Sequence, residues 1–70
     1  MEEIAEKLGN RLRELRNKAG ISQEKFALQI GMDRTYYASV EAGKRNVSLK
    51  NLQKIADGFG ISLSDMFQDI

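Results

Sequence analysis

The sequence predicts an all-helical fold of five short helices, and three observations carry that prediction. Proline is absent from the 70 residues. Apolar residues recur at steps of three and four rather than alternating. Ser, Asp and Gly stand where helices would start and stop. The turns between these signals are only a few residues long, and no linker, repeat or low-complexity tract interrupts them. Residues 1–70 are therefore expected to form a single domain.

The first helix is read from Ile4, Leu8, Leu12, Leu15 and Ala19, at steps of four, four, three and four. That spacing marks one helix face, with Arg11, Arg13, Glu14 and Lys18 on the wet side and Gly20 as the stop. Ser22 caps a second helix, with Lys25 where a capping box would place Glu or Gln. Phe26, Ala27 and Ile30 form its apolar stripe, and Gly31 ends it. Asp33 caps the third helix, which turns Tyr37 and Val40 inward and stops at Gly43. Tyr36 and Tyr37 are adjacent and cannot share a face, so one is core and the other surface; the sequence leaves open which. Ser48 caps a fourth helix with Leu49, Leu52, Ile55, Ala56 and Phe59 inward, its end loosened by Gly58 and Gly60. Ser62 opens a brief fifth helix through Met66 and Phe67.

A domain of this size buries a modest core, and usually gains stability from disulfides, metals, regular helix packing or self-association. Cysteine and histidine are both absent, which removes the first two options together with Cys or His nucleophilic chemistry and the usual zinc sites. No metal or other cofactor is expected. Most carboxylates fall at helix starts or opposite basic residues, where capping and ion pairing account for them. No phosphate-binding glycine loop is present, so no catalytic site is expected. No apolar run approaches the ~20 residues that span a bilayer, and the start (Met1, Glu2, Glu3) is acidic rather than signal-like. A cytoplasmic location without a membrane partner follows as the expectation.

The net charge is +1, from 11 basic and 10 acidic residues, yet the charges are unevenly placed. Between Asp33 and Lys54, five cations (Arg34, Lys44, Arg45, Lys50, Lys54) face two anions (Asp33, Glu41). Glu2, Glu3 and Glu6 lie before this stretch and Asp57, Asp65 and Asp69 after it. A basic middle between acidic ends suits a chain that offers one face to phosphates.

The most informative stretch is Gln23 to Val40, QEKFALQIGMDRTYYASV. Two short helices joined by so brief a turn must cross steeply and touch near the crossing. Ala27 is small where that approach is closest, and Gly31 supplies the left-handed backbone of a tight turn. Ile30 and Met32 plug the corner. This is helix-turn-helix spacing, over about residues 22–42.

With LRELRNKAGISQ before it, and VEAGKR and LKNLQKIADGFGIS after it, the pattern resembles the Cro/CI-type (XRE-type) family of bacterial and phage regulators over nearly the whole chain. Within that family, DRTYYASVEAGKRNVSL is most similar to restriction–modification controller proteins. The resemblance implies a compact five-helix, lambda-repressor-like DNA-binding domain whose third helix enters the major groove by its N-terminal end. Arg34, Thr35, Ala38 and Ser39 lie opposite Tyr37 and Val40 and would reach base edges, with Arg34 matched to guanine O6 and N7. Gln23, Tyr36, Lys44, Arg45, Asn46 and Ser48 would hold the DNA backbone. The family also implies a structural ion pair between Arg16 and Glu41.

The C-terminal run of residues 61–70 holds more apolar side chains than a short last helix buries. Leu63, Met66, Phe67 and Ile70 are therefore read as a two-fold dimer interface. The resulting expectation is a homodimeric transcriptional regulator on inverted-repeat operators in double-stranded DNA, controlled by concentration rather than by a small-molecule effector. The alternatives are a phage- or plasmid-type repressor, or an antitoxin-like protein-interaction module of the same fold.

Overall fold

The computed structural model describes residues 3–70; Met1 and Glu2 of the acidic start lie outside the described residues. It comprises α1 (Glu3–Ala19), α2 (Gln23–Gln29), α3 (Arg34–Glu41), α4 (Leu49–Phe59) and α5 (Leu63–Met66), with no strand among the described residues. The four later helices begin as the sequence predicts. Ser22, Asp33, Ser48 and Ser62 each accept a hydrogen bond from the backbone N–H three residues on, which satisfies a donor the helix itself leaves free.

α1 packs on α3, α3 on α2, and α4 on α5. Between them lie Leu8, Leu12, Phe26, Tyr37, Ile55 and Met66, all buried. The Phe26 ring stacks on Phe59 at 4.2 Å between centroids and meets Tyr37 at 5.2 Å, tilted by 59°. Tyr37 is thus the core tyrosine, and half-buried Tyr36 faces the surface. The turn between α2 and α3 passes through Gly31 at φ 66°, the left-handed conformation its sequence position called for. Half-buried Ile30 and Met32 flank it.

Four expectations about packing need correction. Ile4 and Ala19 are exposed, and the inner face of α1 is Ala5, Leu8, Gly9 and Leu12. A step of three or four admits two neighbouring stripes, and the stripe with the small residues lets α1 approach α3 more closely. At Gly9 a β-carbon would strike the carbonyl oxygen of Glu41 and lie 2.9 Å from that of Val40. Leu49, expected inward, is 78% exposed, because the first turn of α4 projects beyond the core that Leu52, Ile55 and Ala56 fill. Gly58 lies within α4 and does more than loosen its end: a β-carbon there would collide with Ile30 and sit 3.0 Å from the Phe26 ring. Arg11 is not simply on the wet side, since it donates to the Asp65 carbonyl at 2.9 Å and clasps α1 to α5.

Candidate nucleic-acid interface

The interface is built around α3, whose two ends are held differently. Its buried side begins with Tyr37 and Val40, which lie in the core and fix the rotation of the helix. At the C-terminal end the Glu41 side chain is fully buried, and a buried carboxylate must be paired to remain charged. Arg16 supplies a two-pronged partner: Nε donates to Oε2 at 2.8 Å and Nη2 to Oε1 at 3.1 Å. The same guanidinium donates to the Ile21 carbonyl at 2.9 Å, tying in the loop before α2. Arg13, which sequence reasoning placed only in solvent, donates to the Glu41 main-chain carbonyl at 3.3 Å.

Burial by itself would push the Glu41 carboxyl up, but the hydrogen bonds from Arg16 and Gln23 outweigh it and hold the group below its ordinary value. The hydrogen bond to Glu41 likewise raises Arg16, against the opposing effect of burial. The Tyr37 hydroxyl lies beside this pair yet is buried without a hydrogen-bond partner among the described residues. Burial first, and the neighbouring carboxylate second, push it well above the ordinary tyrosine range.

At the N-terminal end, Asp33 caps the helix by accepting from the Tyr36 N–H at 3.0 Å. Arg34 and Thr35 follow on the first turn with exposed side chains. Ala38 and Ser39 continue that outer surface, both half-buried. Ser39 is less free than expected for a base contact. Its hydroxyl donates to the Tyr36 carbonyl and accepts from Arg45 Nε at 3.0 Å. After Gly43 the chain doubles back along α3, which brings Arg45 onto Ser39 and places its guanidinium 5.4 Å from the centre of the Tyr36 ring. The Tyr36 hydroxyl in turn accepts from Asn51 Nδ2 at 3.3 Å, linking α3 to α4.

Lys44, Arg45 and Asn46 are exposed on this loop. Ser48 is exposed too, but its hydroxyl is occupied by the Asn51 N–H at 3.2 Å. Gln23, expected to hold a phosphate, is turned toward the protein, Nε2 donating to Glu41 Oε1 at 2.9 Å. The structure thus brings Tyr36, Ser39 and Arg45 together beside α3, while Arg34 and Thr35 stand apart from that cluster on its exposed first turn. Asn51 was missed; its position on the first turn after the Ser48 cap was the only available signal.

The expected dimer segment is split. Leu63, Phe67 and Ile70 are half-buried, but Met66 is fully covered within the chain and offers no surface to a partner. A helix of one turn drives a single side chain fully inward, and the flexible thioether fills the gap beneath it. A shallow apolar groove continues from Phe67 past Leu8 and Val47 to exposed Ile4.

Among the described residues no group of His, Cys, Asp or Glu is arranged to hold a metal ion. No helix among them is long and apolar enough to cross a membrane.

Comparison with known proteins places these features in context. A helix-turn-helix family model matches residues 12–66. The control protein C.MunI of a Mycoplasma species is 58% identical over 71 aligned residues, spanning 100% of this chain and 96% of that protein. The crystal structure of the restriction-modification controller protein C.AhdI from Aeromonas hydrophila superposes with a TM-score of 0.85 at 47% identity, covering 89% of this chain and 94% of that one. The restriction-modification controller protein C.Esp1396I, as a tetramer with its natural 35 base-pair operator, superposes with a TM-score of 0.88 at 28% identity, covering 97% and 90%.

Proposed function

The chain belongs to the helix-turn-helix family, and from that premise we propose that it is a sequence-specific DNA-binding transcription regulator. In this reading it acts as a homodimer on inverted-repeat operators, as the controller protein of a restriction–modification system. The observation that carries the reading is the asymmetry of α3: an exposed N-terminal turn bearing Arg34 and Thr35, with exposed Lys44 and Arg45 on the loop that follows the helix, and a C-terminal end anchored in the core.

The mechanism follows from that geometry. The first turn of α3 enters the major groove, where the guanidinium of Arg34 donates to guanine O6 and N7. Thr35 lies beside it and contacts the neighbouring base. Lys44 and Asn46 take phosphates and set the register of the helix on the duplex. Arg45, resting on Tyr36, braces the loop against the outer surface of α3. One such module makes a small interface of limited affinity, so two copies on half-sites about one helical turn, ~34 Å, apart give an operator-length complex. Leu63, Phe67, Ile70 and Ile4 provide the apolar surface for the second copy. The protein carries no catalytic step and works in the cytoplasm, responding to its own concentration.

Selection from a randomised duplex pool at two salt concentrations tests this. The expected result is enrichment of paired inverted half-sites, with binding that weakens as salt rises. Absence of enrichment would overturn the reading.

A further inference from the structure

The one charged partner of Arg34 among the described residues is Glu24, which lies across the helix-turn-helix on the first turn of α2, with Oε2 3.7 Å from Arg34 Nη1. Both side chains are largely exposed, at 69% for Arg34 and 71% for Glu24. An ion pair of this kind contributes little to stability, and neither side chain is needed to close the core. Its position is nevertheless informative. A carboxylate on the surface that is to meet DNA repels phosphates, so it weakens binding unless it improves selection.

We propose that Glu24 is a positioning residue for base readout, holding Arg34 over the major groove and away from the phosphates. The proposal rests on the reading of Arg34 as a base contact. A guanidinium has two usable edges. Glu24 meets Arg34 at Nη1, which leaves the edge formed by Nε and Nη2 free to donate to guanine O6 and N7. A long arginine without such a partner samples many rotamers and pairs with whichever phosphate is nearest, which adds affinity for every sequence alike. The neighbouring negative charge opposes that use. It also narrows the positions from which Arg34 can approach a base. Glu24 thereby converts an affinity contact into a specificity contact.

The test compares wild type, Glu24→Gln, Arg34→Ala and the double variant on the selected operator, on operators with each base pair of a half-site replaced, and on unrelated duplex. Glu24→Gln keeps the shape of the side chain and removes its charge. Its expected effect is tighter binding to unrelated duplex. Discrimination at the one base pair read by Arg34 falls roughly two- to fivefold, the range an exposed ion pair supplies. In the Arg34→Ala background the same substitution leaves discrimination unchanged. Unchanged or increased discrimination in Glu24→Gln would overturn the proposal, as would an equal loss in the Arg34→Ala background. A lowered melting temperature in Glu24→Gln would place the effect in folding and also overturn it. If Arg34→Ala relaxes one base pair and Glu24→Gln does not, only the role of Glu24 falls. If Arg34→Ala relaxes none, the readout by Arg34 falls and the role of Glu24 with it.

Discussion

At its C-terminal end α3 is held by Arg16, Arg13 and Gln23 on a carboxylate and carbonyl buried beside α1, whereas Arg34 and Thr35 at its start are exposed, and Arg34 makes one exposed ion pair. The eight residues of Arg34–Glu41 therefore span the whole range from fixed to free. The difference teaches how so small a domain can be both stable and adaptable. Directional bonds are concentrated where the helix meets the core, and a long flexible side chain, Arg34, stands at its exposed start. A rigid end sets where the helix points, and the free end chooses what it touches.

The strongest way to break this contrast is at the fixed end. Glu41→Ala leaves the Arg16 guanidinium facing a vacated pocket, and is expected to cost roughly 3–5 kcal/mol, a large share of the stability of a small domain. Thermal denaturation followed by circular dichroism measures it, and DNA affinity should fall only in step with the folded fraction. Acid probes the same pair without mutation. Because Glu41 is held below its ordinary value of 4.5 in the folded chain, its contribution is complete above that pH and is lost as pH falls through the lowered value. Melting temperatures should accordingly decline below about pH 4.5, and the part of the decline due to Glu41 should be missing in Glu41→Gln.

The free end should respond in the opposite sense. Arg34→Ala is expected to leave the melting temperature within the scatter of ordinary surface substitutions. It should remove roughly 1–3 kcal/mol of discrimination at one base pair, read from competition binding with substituted operators. If Arg34→Ala instead unfolded the domain, the division between the two ends would be wrong. The smallest effect sharpens the picture at the fixed end. The Tyr37 hydroxyl is buried and unpartnered among the described residues, so Tyr37→Phe should be neutral or stabilise by less than about 1 kcal/mol. A clear loss of stability in the melt would mean that the hydroxyl does bond to the Arg16–Glu41 pair.

The start of each later helix was legible because capping is local. Ser22, Asp33, Ser48 and Ser62 need only a backbone N–H three residues away. The turn at Gly31 was legible for the same reason. The rotation of a helix about its own axis is not a local property. On α1 the choice between the stripe through Ile4 and the stripe through Ala5 and Gly9 is decided by the backbone of α3, more than thirty residues further along. The same holds for the site. That Thr35 stands on the outer face follows from the inward positions of Tyr37 and Val40 by helix geometry alone, whereas Arg34, three residues before Tyr37, lies at the flank. That Ser39 is occupied by Arg45, Gln23 by Glu41, and Met66 by the core depends on neighbours supplied by the fold. Glu24 gave no signal, since an acidic residue in a first helical turn already has a sufficient reason to be there.

The bare backbone at Gly9 gives α3 a pivot. From that contact to Arg34 the helix is a lever about 10 Å long, resting on the carbonyls of Val40 and Glu41. A wedge as small as one methyl group under the short end would swing the long end, moving Arg34 and Thr35 while leaving each of them chemically intact. The direction in which Arg34 and Thr35 point is thus set partly by an atom that is absent, at a backbone contact between α1 and α3.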